Sequence, residues 1–137
     1  SSGGLAVRGH IPGKDGIYAA VLLVEMLATT GKSISELYRE VRDRYGMLCY
    51  EERSFAMSQA RKQQLQRLIY EEKLVPGFGE KVTKIDRSDG CKICFGDDSW
   101  VICRFSGTEP VLRIAAEGND LSQAKGHIRS WQQSLGL

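Results

Sequence analysis

The sequence has little net charge, few aromatic side chains and no long uninterrupted apolar run. Its 19 basic and 17 acidic residues leave a formal charge of +2, so there is no broad electrostatic footprint for nucleic acid or an anionic membrane. Aromatic residues make up 8% of the chain, few for the stacking platforms that single-stranded nucleic acids use. The longest apolar stretch, Ile17 to Leu27, is cut by Glu25 and falls short of the roughly 20 residues a bilayer demands. No basic segment followed by an apolar one marks a secretory signal. Neither an internal repeat nor a low-complexity segment is present. The expectation is a cytoplasmic protein with no nucleic-acid and no membrane partner.

Nothing indicates an oxidising compartment, so the four cysteines, Cys49, Cys91, Cys94 and Cys103, are expected as reduced thiols. Cys91-x-x-Cys94 raises zinc or redox chemistry. On a straight strand, however, residues three apart face opposite sides, and Lys92 and Ile93 do not make a chelating turn. Buried, strand-packed thiols are expected, and no metal site.

What is present is enough for about one globular domain with some to spare: 137 residues, 42% hydrophobic and 26% charged. The chain begins without a methionine, in a glycine-rich stretch from Ser1 to Gly13 that reads as a cut end. Asp15 caps a helix predicted from Gly16 to about Thr29, with Gly31 past its end. Leu22 and Leu23 make this helix apolar on the side opposite Ile17, Val21 and Val24. Such a helix expects cover on several sides, so part of it is expected to lie exposed here and covered in a longer parent. Ser33-x-x-Glu36 is a capping box opening a second helix, to about Tyr45.

From Met47 the predicted order is β-α-β-β-β-β-α. The first strand, Met47 to Met57, reads as little more than an arm. A helix over about Ser58 to Lys73 carries Leu65, Leu68 and Ile69 as its buried stripe and Lys62 on its outer face. Cys91, Ile93 and Phe95 alternate on a strand. The last helix has a stripe of Leu121, Ala124, Ile128, Trp131 and Leu135. The fold class is α+β: a four-stranded antiparallel sheet with two helices on one face, preceded by a helical remnant of an α/β domain. The expected division is 1–45 and 46–137.

The stretch Arg104-Phe105-Ser106-Gly107-Thr108-Glu109-Pro110-Val111-Leu112-Arg113 lies between two apolar strands. Ser106 and Thr108 each carry a hydroxyl that donates to an anionic oxygen. Gly107 allows a positive φ and a backbone anion nest. Arg104 and Arg113 bring permanent charge and a planar fork matched to phosphate. The competing reading is a hairpin whose arginines face solvent. Glu109 either holds one arginine or points away.

This stretch resembles the phosphate-binding loop in the last domain of the α-D-phosphohexomutases, the phosphoglucomutase and phosphomannomutase group. A second stretch, Ser2-Gly3-Gly4 through His10-Ile11-Pro12-Gly13-Lys14-Asp15-Gly16-Ile17, is similar to the end of the third domain of that family. The glutamate of the family's sugar-binding loop would fall at Ser1 or before it. The resemblance implies a TBP-like C-terminal domain four, with residues 1–45 as the end of sugar-binding domain three. It implies that Arg104, Ser106, Gly107, Thr108 and Arg113 bind substrate phosphate. It further implies that Lys14 meets the sugar phosphate and moves protons, and that Ser2 and His10 contact sugar. For the whole enzyme it implies interconversion of hexose 1-phosphate and 6-phosphate through a phosphoserine, with Mg2+ and a hexose bisphosphate activator. The family's serine loop and metal loop have no counterpart in these residues, so the chain alone is expected to be inactive and to bind no cofactor. Its partners would be a hexose phosphate and the upstream domains. The alternative from another class is a non-enzymatic binding module for a nucleic-acid or protein partner.

Overall fold

A computed structural model describes residues 4–137. The chain folds as two compact units, Ser1–Gly46 and Met47–Leu137.

The first unit is built on two helices, α1 (Gly16–Thr30) and α2 (Ile34–Tyr45). One carboxylate oxygen of Asp15 accepts the N–H groups of Ile17 and Tyr18, each at 3.0 Å. At the other end Gly31, with φ 66°, donates its N–H to Leu27. The capping box of Ser33 and Glu36 forms as the sequence suggests. The two helices bend by 84°, and among the described residues no single helix is long and apolar enough to cross a membrane. No residue of α1 is buried. Ile17 is 82% and Val24 65% exposed, as expected from a helix apolar on nearly all sides.

The second unit runs β1 (Cys49–Ala56), α3 (Gln59–Gln66), a π-helical turn (Arg67–Glu71), β2 (Val82–Asp86), β3 (Cys91–Phe95), β4 (Trp100–Phe105), β5 (Val111–Gly118) and α4 (Leu121–Leu135). The strands form one antiparallel sheet in the order β1-β5-β4-β3-β2. The fold is the α+β arrangement read from the sequence, with one strand more in the sheet than the four expected. The stretch read as an arm is the fifth: β1 pairs with β5 along its whole length, from Cys49 opposite Gly118 to Ala56 opposite Val111.

Side-chain alternation splits the sheet into two faces. Cys91, Ile93 and Phe95, Val101 and Cys103, and Leu112, Ile114 and Ala116 are buried against the helices. Leu65 and Ile69 on one side, and Ala124, Ile128, Trp131 and Leu135 of α4, close that core. Cys91 lies opposite Cys103, and both thiols are free. Burial pushes both up, while Cys94 is half-buried on the other face.

The long helix expected after Ser58 does not stay α-helical. It widens at Arg67, and the guanidinium of Arg87 donates to the carbonyls of Ile69 (2.7 Å) and Lys73 (3.0 Å), satisfying acceptors left open at the helix end. His127 is an unexpected member of the inner face of α4. It is buried and stacks on Phe95 with ring centroids 4.2 Å apart.

Candidate functional site

Residues 106–110 join β4 to β5 at one end of the sheet. The pairing sets Phe105 opposite Leu112 and Arg104 opposite Arg113. Since Leu112 and Ile114 face the core, Arg113 faces the other way, and its partner Arg104 shares that face. Both arginines of the motif are thus brought side by side at the mouth of the loop.

The loop is held by its backbone. Ser106 N–H donates to Val111 O at 2.8 Å, Val111 N–H to Glu109 O at 2.8 Å, and Met57 N–H to Pro110 O at 3.0 Å. From α3, the Lys62 ammonium donates to the carbonyls of Ser106 (3.0 Å) and Glu109 (3.2 Å). The hydroxyls of Ser106 and Thr108 stand 3.5 Å apart, close enough to share one anionic oxygen.

One expectation is corrected, and one open alternative is decided. Gly107 is not among the residues with positive φ, so the loop is not the nest inferred from glycine's left-handed freedom. Gly107 supplies open space instead: a β-carbon there would meet no heavy atom within 4 Å, and a ligand can approach the bare backbone. As for the two options for Glu109, it forms no ion pair with either arginine among the described residues; Arg104 is paired instead with Asp89, Nη1 to Oδ2 at 3.0 Å.

Asp89 reaches Arg104 because of its neighbour. Gly90 has φ 87°, and a β-carbon on it would stand 2.5 Å from the Cys103 carbonyl oxygen and 2.7 Å from Arg104 Cβ. Only glycine lets the β2–β3 turn lie this close to β4. Arg113 is placed differently. Its Nε is buried and has no hydrogen-bond partner, a donor whose burial costs free energy until an acceptor arrives.

Lys62 and Asp89 are the members that sequence reasoning missed. The sequence places Lys62 on the outer face of its helix, and Asp89 lies in the turn between β2 and β3. No local pattern relates either to the loop, because both contacts are long-range.

The remaining candidates lie in the first unit. Ser2 falls outside the described residues. His10 Nε2 is 2.8 Å from Asp15 Oδ2, and its ring stacks on Tyr18 with centroids 4.0 Å apart. The Asp15 carboxyl is held below its usual range by the His10 hydrogen bond first and the Tyr18 N–H second. The start of α1 therefore already carries a carboxylate, which meets part of the anion attraction that its free N–H groups would exert. The stem of Lys14 lies over Gly4, where a β-carbon would collide with it. Among the described residues no group of three or more His, Cys, Asp or Glu could hold a metal ion. The magnesium implied by the resemblance therefore finds no ligand set among the described residues.

Comparison with known proteins gives matches along the chain. Residues 1–45 match the family described as phosphoglucomutase/phosphomannomutase, alpha/beta/alpha domain III. Residues 49–127 match phosphoglucomutase/phosphomannomutase, C-terminal domain. A phosphoglucomutase/phosphomannomutase of Thermococcus kodakarensis is 32% identical over 127 residues, covering 93% of this chain and 25% of that protein. A phosphoglucosamine/phosphogalactosamine mutase of Sulfurisphaera tokodaii is 30% identical over 130 residues, covering 93% and 26%. A crystal structure from Thermus thermophilus, described as a phosphomannomutase, superposes with a TM-score of 0.70 at 25% identity, covering 99% of this chain and 25% of that one. The chain thus spans about a quarter of the length of these relatives. On the match of the C-terminal domain over residues 49–127 and of domain III before it, the chain belongs to the phosphoglucomutase/phosphomannomutase family.

Proposed function

We propose that the loop of residues 104–113 anchors the non-reacting phosphate of a hexose phosphate in a longer phosphohexomutase, one that interconverts hexose 1-phosphate and 6-phosphate. The observation that carries this is the side-by-side placement of Arg104 and Arg113 on one face, with the Ser106 and Thr108 hydroxyls 3.5 Å from each other in the loop that joins the two strands. Two guanidiniums and two hydroxyls supply forked, charge-assisted donors to a dianion. Each such bond contributes on the order of 1.5–3 kcal/mol. That energy orients the sugar so that its other end meets the reacting groups.

On the same reading, Lys14 meets the sugar phosphate and moves a proton at the reacting hydroxyl, and Ser2 and His10 meet the sugar. Magnesium and a hexose bisphosphate act in the upstream domains, and those domains cover the apolar α1. Phosphoryl transfer needs a nucleophile and stabilised charge, which the family carries upstream, so this chain alone is inactive and binds phosphate weakly, at roughly millimolar Kd.

The test is an amide chemical-shift titration with glucose 1-phosphate and, separately, inorganic phosphate. Shifts confined to Ser106–Thr108 and Arg113 that vanish in Arg104→Ala are the expected result. A silent loop at high ligand concentration, or turnover of glucose 1-phosphate by the purified chain, would count against the respective parts.

A further inference from the structure

Lys62 holds the loop by two carbonyls, and the geometry of a peptide bond gives that grip a consequence. Its Nζ donates to Ser106 O and Glu109 O, on either side of the Gly107–Thr108 tip. The described chain contains no cis peptide. Across a trans peptide the C=O and the following N–H point in opposite directions. With the Ser106 oxygen turned toward Lys62, the Gly107 N–H is turned away from α3, outward from the loop. Among the described residues no hydrogen bond uses that N–H. It is a donor without an acceptor, at a residue whose surroundings are open.

We propose that Lys62 is a positioning residue for phosphate: it fixes the Ser106–Gly107 peptide plane so that the Gly107 N–H stands ready beside the Ser106 and Thr108 hydroxyls. This rests on the reading of the loop as a phosphate anchor. The loop's geometry is then set before the ligand arrives, so binding spends less on ordering it. The ammonium also places a positive charge behind the loop, which favours an anion in front of it. Glu109 O is held by the same ammonium, so Lys62 ties down both sides of the tip.

The experiment is a titration of the isotope-labelled chain with inorganic phosphate, comparing wild type with Lys62→Met, Lys62→Arg and Arg104→Ala. Lys62→Met keeps the apolar stem and removes the charge and both hydrogen bonds. Its phosphate Kd is expected to rise about 5- to 20-fold, and the Gly107 amide shift at saturation to shrink. Lys62→Arg is expected to recover at least half of the loss. In the wild type, phosphate is expected to slow proton exchange at the Lys62 ammonium, a readout that does not depend on any variant folding. Wild-type affinity and a wild-type Gly107 shift in Lys62→Met, or unchanged ammonium exchange, would overturn the role of Lys62 while leaving the anchor intact. No response of Gly107 and Thr108 in the wild type itself would overturn the anchor reading, and Lys62 with it.

Discussion

Arg104 and Arg113 stand directly opposite each other on neighbouring antiparallel strands, two permanent cations on the same face. Like charges in this position repel and destabilise a sheet. Arg104 is relieved by Asp89, but Arg113 keeps a buried Nε with no partner. On the reading proposed above, a bound anion would relieve this pair. Arg113→Met, which keeps the stem and removes the charge and the orphaned donor, is expected to raise stability by roughly 0.5–1.5 kcal/mol. It should also weaken phosphate binding at least about tenfold. Urea unfolding and the phosphate titration check the two halves; a loss of stability would mark the guanidinium as a strut of the fold.

If Arg104 holds phosphate as proposed, Asp89 competes with it for that guanidinium. The carboxylate is mostly exposed, so its ion pair is a weak one. Asp89→Asn should leave the unfolding midpoint nearly unchanged and tighten phosphate binding about two- to fivefold at low salt, less at high salt. Affinity measured at two ionic strengths decides it; a weaker Kd would show that Asp89 orients Arg104 instead.

Gly90→Ala tests how the turn is fitted to β4. The new β-carbon needs the left-handed φ of 87° and meets the Cys103 carbonyl at 2.5 Å. The expected cost is about 2–4 kcal/mol, read as a drop in the denaturant midpoint. Because Arg104 Cβ is the next atom in the way, phosphate affinity should fall as well.

Asp97 lies in the β3–β4 turn and is surrounded by donors: the Ser99 hydroxyl at 2.6 Å, Asn119 at 2.7 Å and Gln123 at 2.8 Å. With the Ser99 hydroxyl as the largest cause and Gln123 next, they lower its carboxyl from 3.8 to about 2. A lowered folded-state pKa stabilises the fold fully above the unfolded value, and that contribution is lost as pH falls through the folded one. Asp97 therefore adds to the acid sensitivity between about pH 4 and pH 2, and Asp97→Asn should flatten that limb. A carboxyl carbon titration with its midpoint near 3.8 instead would refute the assignment.

The sequence made legible what depends on neighbours in the chain. Asp15 and Ser33 cap helices because capping is a contact over two or three residues. The stripe of α4 follows from its period, although Leu121 at its first turn is exposed. His127 lies on that stripe too, next to Ile128, and the same period would have found it. The apolar strands on either side of the loop brought Arg104 and Arg113 together in the reading as they are together in the fold. Lys62 was hidden because its two acceptors come from another part of the chain. The π-helical turn was hidden because Arg87, which takes the carbonyl of Ile69, lies beyond the helix. Gly107 misled because a glycine's freedom is a permission and not an instruction.

The placement of β1 sets a timetable. It is the first strand of its unit, yet its one neighbour in the sheet is the last strand, β5. A ribosome delivers β1, α3 and three further strands before the partner exists. Until then β1 waits with an open edge, and the bond from Met57 to Pro110 cannot form. The β4–β5 loop is therefore among the last features to take shape, and a chain that ends before β5 has neither that loop nor a place in the sheet for β1. Pairing of β1 in the sheet reports that synthesis of the domain has reached its final strand.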